Sequence, residues 1–144
     1  MIADNKMIVW TDRLSCGITV IDEQHKELVD LINEMFSSIA TDNIQRHDYL
    51  NIVAKKIIRS TKNHFATEEK IMIVTKFPEY AEHKEEHYNF ECVVTESILD
   101  YQTGKRLSPS YFIRFFADWV LSHITLMDKK FFDFLKKSPL VKLA

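Results

Sequence analysis

Residues 108–136 read SPSYFIRFFADWVLSHITLMDKKFFDFLK, and this stretch decides the fold class. Ser108 and Pro109 form a helix start, an N-cap followed by the residue whose fixed φ suits a first turn. Phe112, Phe116, Trp119, Val120, Ile124, Met127 and Phe131 then recur at intervals of mostly three and four, the period of one buried helix face. Three further segments carry the same period. Ile21, Leu28, Ile32, Met35 and Ile39 mark a helix over Ile18–Ile39. Leu50, Val53, Ile57, Thr61, Phe65 and Met72 mark one over Ile44–Val74, and Phe90, Val94 and Ile98 one over Glu79–Tyr101. The breaks fall between them, at Thr41-Asp42-Asn43, Lys76-Phe77-Pro78 and Gly104, the last placed as a C-cap. Only two glycines and three prolines occur in the 144 residues, too few for a strand-and-turn protein. The expectation is an all-α fold: an antiparallel up-down-up-down four-helix bundle over 18–144, with an irregular N-terminal arm over 1–17.

Composition narrows the function classes. Nineteen Lys and Arg face 21 Asp and Glu, giving a net charge of −2 and a pI near 6.3. No basic patch stands out to recruit nucleic acid or an anionic membrane. No apolar run reaches the eighteen or so residues of a membrane span, and the N-terminus lacks the pattern of a secretory signal, so a cytoplasmic location is expected. Cys16 and Cys92 are too few for a disulfide framework and are read as ordinary thiols, one or both buried.

The histidines carry the chemistry. Of the six, His47 is read as a surface residue. The other five fall on the apolar stripes. His25 lies between Ile21 and Leu28, His64 beyond Ile57 and Thr61, His83 and His87 ahead of Phe90, and His123 beyond Phe116 and Trp119. One histidine on such a face is ordinarily a core residue with a satisfied hydrogen bond. Five from all four helices would need partners for ten ring nitrogens, and the inner faces provide few. Two carboxylates stand beside them. Glu68 follows His64 by four and addresses the same point. Asp128 follows His123 by five, which an α-helical wheel places about 140° away, so spacing alone does not pair them. Burying either anion uncompensated would be very costly, whereas one cationic centre satisfies all seven groups.

These residues carry a resemblance. His25 in GITVIDEQHKEL, His64 and Glu68 in HFATEEKIM, His83 and His87 in FPEYAEHKEEH, and His123 with Asp128 in WVLSHITLMD resemble the ligand motifs of the hemerythrin family, from Trp10 to about Phe132. The arm and length are most similar to single-domain bacterial hemerythrins. The resemblance implies a non-heme centre of two iron ions (Fe2+/Fe3+). One iron takes His83, His87 and His123, and the other takes His25 and His64. Glu68 and Asp128 bridge the pair, with an oxo or hydroxo group as third bridge. Counting donors leaves one octahedral position open, on the iron with two histidines, where dioxygen binds.

Zinc favours four tetrahedral donors, and calcium and magnesium favour oxygen, so the mixed set suits iron or manganese. The choice of iron comes from the resemblance. It implies reversible dioxygen binding for storage, delivery or sensing rather than catalysis, with nitric oxide and small anions as further ligands of the open position. The alternative is a di-iron enzyme, an oxidase or a consumer of peroxide or nitric oxide. Leu28, Phe65, Trp119, Val120, Ile124 and Met127 flank the ligands and are expected to form a dry dioxygen pocket. Phe131 stands where many relatives carry tyrosine, which removes a hydroxyl near the centre.

Overall fold

The computed structural model describes residues 6–39, 46–103 and 109–137. Four helical rods run through them: α1 (Thr19–Ile39), α2 (Arg46–Thr75), α3 (Tyr80–Gln102), and a fourth built of α4 (Pro109–Ser122), a π turn (His123–Met127) and α5 (Asp128–Lys136). No strand occurs among the described residues, and the four-helix bundle expected from the sequence is the fold. The loop at 41–43, the C-cap at Gly104 and the N-cap at Ser108 lie outside the described residues, as do the side chains of Ile39, His47 and Leu50.

Local chemistry sets the visible helix ends. Before α1, the Asp22 carboxylate accepts from the Cys16 N–H at 2.8 Å, the Ser15 hydroxyl at 2.6 Å and the Gly17 N–H at 3.3 Å. These bonds hold the Asp22 carboxyl below its usual range although burial opposes them. The tight turn needs Gly17 at φ 85°, a left-handed conformation that side chains disfavour. At the other end of α2, Lys76 takes φ 58° and the Phe77 N–H reaches back to the Met72 carbonyl at 2.9 Å. That six-to-one bond is a Schellman stop, and Pro78 follows it.

Buried side chains form two apolar clusters. The larger includes Leu28, Ile32, Val53, Ile57, Phe65, Phe90, Val94, Phe116 and Val120; the smaller holds Ile21, Met72, Phe77, Phe131, Phe132 and Leu135. The first, second and fourth rods contribute buried apolar turns on both sides of their His, Glu or Asp residues, α3 adds half-buried Tyr80 to the smaller cluster, and the polar layer sits between the clusters. The stripes read from the sequence are the buried faces, except that Trp119 and Met127 are only half-buried. Cys16 is half-buried and Cys92 exposed, so neither thiol is the buried one expected. Both lie at the margins of the apolar stripes rather than on them.

The arm is docked. Asn33 Oδ1 accepts from the Met7 and Ile8 N–H groups at 2.8 and 3.0 Å, and Asn33 Nδ2 donates to the Ile8 carbonyl at 2.8 Å. Ile8 and Leu14 are buried, the latter in a short 3-10 turn (Asp12–Leu14). Asn33→Ala strands these backbone groups and is expected to lower stability by about 1–3 kcal/mol. Urea denaturation would measure the loss, and an unchanged midpoint would mean that the arm adds nothing to the fold.

Candidate metal centre

The polar layer is built from helix register. His64 and Glu68 on α2, and His83 and His87 on α3, are i,i+4 pairs facing inward from consecutive turns. His25 enters from α1. The fourth rod solves the spacing problem of Asp128. His123 opens the π turn, and the Asp128 N–H bonds to the His123 carbonyl five residues back. The wider turn spends an extra residue, so an i,i+5 pair stands where an i,i+4 pair would stand on an α-helix. The pairing that the wheel would not support is therefore made by a local change of helix type.

All seven side chains are nine-tenths buried or more. Each carboxylate divides its two oxygens between two sets of histidines. Glu68 Oε1 lies 3.2 Å from His87 Nε2, 3.3 Å from His123 Nε2 and 3.6 Å from His83 Nε2, while its Oε2 lies 3.5 Å from His64 Nε2. Asp128 Oδ1 lies 3.0 Å from His123 Nε2 and 3.1 Å from His83 Nε2, while its Oδ2 lies 3.1 Å from His25 Nε2. His25 Nε2 and His64 Nε2 are themselves 3.0 Å apart. Two overlapping groups result, each with donor atoms within 4.8 Å of one another: Glu68, His83, His87, His123 and Asp128, and His25, His64, Glu68 and Asp128.

These donors fit metal ions better than they fit each other. Adjacent donors on an octahedral ion with bonds of about 2.1 Å stand about 3 Å apart, the spacing found here. Several pairs have hydrogen-bond distances without hydrogen-bond angles. His83 Nε2, His87 Nε2, Glu68 Oε2 and Asp128 Oδ1 are all buried with no hydrogen-bond partner among the described residues. Groups so buried are rarely left unpaired unless something else satisfies them.

Two outer partners sharpen this. Thr67 Oγ1 donates to the Asn63 carbonyl at 2.9 Å, so it accepts from Gln24 Nε2 at 3.0 Å, and Gln24 turns Oε1 towards His64 Nδ1 at 3.0 Å. Glu69 Oε2 lies 2.8 Å from His87 Nδ1. An acceptor facing Nδ1 fixes the proton there, and a neutral ring then turns the Nε2 lone pair inward. Inward lone pairs beside carboxylate oxygens repel unless a cation lies between them. Without one, protons take that place. Burial lowers the His25 and His87 pKa values. At His83 and His123 burial is overridden by Asp128 and Glu68, which lift His123 to about 10. Both carboxyls are held below their usual range, burial being outweighed by the surrounding imidazoles.

Aromatic rings hold the imidazoles in place. Phe65 stacks on His87 at 3.8 Å and 4°, and Trp119 on His123 at 4.6 Å and 13°. Phe90 backs Trp119 at 3.6 Å. Of the six expected pocket residues, Leu28, Phe65, Val120 and Ile124 are buried in the larger apolar cluster and Trp119 packs against it. Met127 instead lines a solvent-facing cavity beside His83. Phe131 is fully buried, 5.1 Å from the Phe77 ring and 6.2 Å from His83. Gln24 and Glu69 were missed by the sequence reading, although each directly adjoins a ligand candidate in the chain.

The model of the family described as Hemerythrin HHE cation binding domain matches residues 16–135. A bacteriohemerythrin from Stenotrophomonas maltophilia (strain R551-3) is 31% identical over 130 residues, covering 90% of this chain and 82% of that protein. One from Pseudomonas aeruginosa (strain LESB58) is 29% identical over 131 residues, covering 91% and 83%. A crystal structure of wild-type hemerythrin superposes with a TM-score of 0.80 at 25% identity, covering 87% of this chain and 95% of that one. A hemerythrin variant reaches 0.82, also at 25% identity, covering 90% and 97%.

Proposed function

Because the chain belongs to the hemerythrin HHE cation-binding family, we propose that its seven buried donors hold two iron ions and that the protein binds dioxygen reversibly. The observation that carries this reading is the division of Glu68 and Asp128, each turning one oxygen to His83, His87 or His123 and the other to His25 or His64. His83, His87 and His123 would hold one iron and His25 and His64 the other, with Glu68 and Asp128 shared between them. A ferrous pair held there would supply the electrons that dioxygen binding requires.

The protein's part is positioning and exclusion. The group containing His25 and His64 has one histidine fewer than the other, so a small ligand would complete the donor set on that side. Gln24 keeps the His64 proton on Nδ1 and Glu69 keeps that of His87 on Nδ1, so both rings present unprotonated Nε2 atoms. Leu28, Phe65, Val120 and Ile124 keep water from the layer, which disfavours the entry of protons and the escape of charged oxygen species. Imidazole outnumbers carboxylate in the donor set. It therefore offers less negative charge than the Glu-rich set of di-iron carboxylate bundles and favours the higher oxidation states less.

The visible spectrum tests the reading. Reduced, iron-loaded protein is expected to be pale under argon, to develop a coloured band in air and to lose it when argon is restored. A band that persists under argon would assign oxidation instead, and no band with two irons bound would remove dioxygen as the ligand.

A further inference from the structure

One polar side chain sits among the residues of the larger apolar cluster. Thr61 is 3% exposed, and on α2 it continues the inward face of Ile57, His64, Phe65 and Glu68. Outside the seven donors, its hydroxyl is the one buried side-chain group without a hydrogen-bond partner among the described residues. Helical threonines have a ready acceptor in the carbonyl four residues back. Thr67, Thr75 and Thr125 use it, at 2.9, 2.7 and 2.7 Å. Thr61 does not, so its hydroxyl is left for another partner.

The side chain borders a crevice of about 10 Å³ between α2 and α3, lined also by Ile58, Lys62, Glu91, Val94 and Thr95. That is about the size at which a cavity takes one water molecule, which also needs roughly two to four polar partners. The Thr61 and Thr95 hydroxyls and the Glu91 carboxyl are at hand. They run from solvent inward, with Lys62 and Thr95 exposed, Glu91 half-buried and Thr61 buried. Burial lifts the Glu91 carboxyl above its usual range, with Lys62 opposing and Glu69 adding. One turn beyond Thr61, Phe65 stacks on His87, and Leu28, Val120 and Ile124 belong to the same apolar wall.

We infer that Glu91, one water molecule in the crevice and the Thr61 hydroxyl form a proton entry to the dioxygen side of the centre, and so set how fast the oxygenated protein decays to its ferric form. The inference rests on the dioxygen reading. The decay takes one electron from each ferrous ion and two protons from solvent; dioxygen leaves as hydrogen peroxide and two ferric ions remain. A dry apolar wall withholds those protons. A hydroxyl that accepts on one side and donates on the other passes them by turning about one bond.

The test follows the visible band of iron-loaded protein in air-saturated buffer as it decays, with released hydrogen peroxide assayed. Thr61→Val keeps the shape and removes the relay, and it is expected to decay about tenfold more slowly. Glu91→Gln is expected to slow the decay as well, and Thr61→Ser to restore the wild-type rate. All three are expected to hold two irons. High-resolution crystal structures give a readout independent of dioxygen: a water within hydrogen-bond distance of Thr61 Oγ1 in the wild type, and none there in Thr61→Val. A wild-type decay rate in either Thr61→Val or Glu91→Gln would overturn the relay, as would a crevice without the water. A valine variant that loses iron or decays faster would overturn it too, by making Thr61 a packing residue. A wild-type protein with two irons and no reversible band would remove the dioxygen reading and the relay with it.

Discussion

Glu68→Ala is expected to retain neither metal ion, with affinity reduced by more than about 100-fold at both positions. Loss of an outer partner of a metal ligand typically costs 10–100-fold, and Glu68 is closer in than that. Its two oxygens reach His87 and His123 on one side and His64 on the other, so one substitution removes a donor from both groups. Asp128 then faces five imidazoles alone, and two cations held close together would lose half of the carboxylate charge that the protein places between them. Glu68→Gln separates charge from volume: it fills the same space, leaves no cavity, and is expected to fail almost as badly because an amide nitrogen cannot bridge. Iron content after desalting measures the effect. Two irons retained by the alanine variant would refute the shared-carboxylate reading, and one iron retained would place Glu68 in a single group.

The contrast between what was and was not legible has a physical basis. The bundle could be read because its signals repeat. Apolar residues at intervals of three and four recur over many turns, and the observed helices begin and end within one or two residues of their expected bounds where both are described. The i,i+4 pairs could be read because α-helical geometry alone puts them on one face. Asp128 could not, because HITLM bears no signature that marks it as a π turn, and the wheel assumes the helix that this segment departs from. Gln24 and Glu69 were invisible for another reason. Each adjoins a ligand in the chain, and a hydrogen bond to the outer nitrogen of a ring depends on rotamers that periodicity does not encode. The arm's clamp is of the same kind: Asn33 is a polar residue of α1 until the backbone of Met7 and Ile8 is brought beside it. Sequence pattern thus reports which face a residue occupies, and tertiary contact decides which atom it addresses.

The π turn makes two opposite results the expected outcome of changing chain length at one exposed position. Leu126 is 66% exposed, so removing it or adding beside it disturbs no core side chain directly. Deleting Leu126 converts the π turn to an α turn and brings His123 and Asp128 to i,i+4, the spacing of His64 and Glu68. Such a turn is an α-helix with one residue inserted, so α5 keeps its facing, and the deletion is expected to preserve two irons per chain. Inserting one alanine after Leu126 has no such escape. It rotates α5 by about 100°, carrying Asp128 out of the layer and Phe131, Phe132 and Leu135 out of their cluster. Losing a single buried phenylalanine costs about 3–5 kcal/mol, so this variant is expected to lose both irons and to unfold at much lower urea concentration or not to fold at all. Metal content and urea midpoints for the pair provide the test. If the deletion loses metal as completely as the insertion, the π turn supplies a ligand geometry that no α-helix can replace. If the insertion keeps two irons, Asp128 is not held where the structure places it.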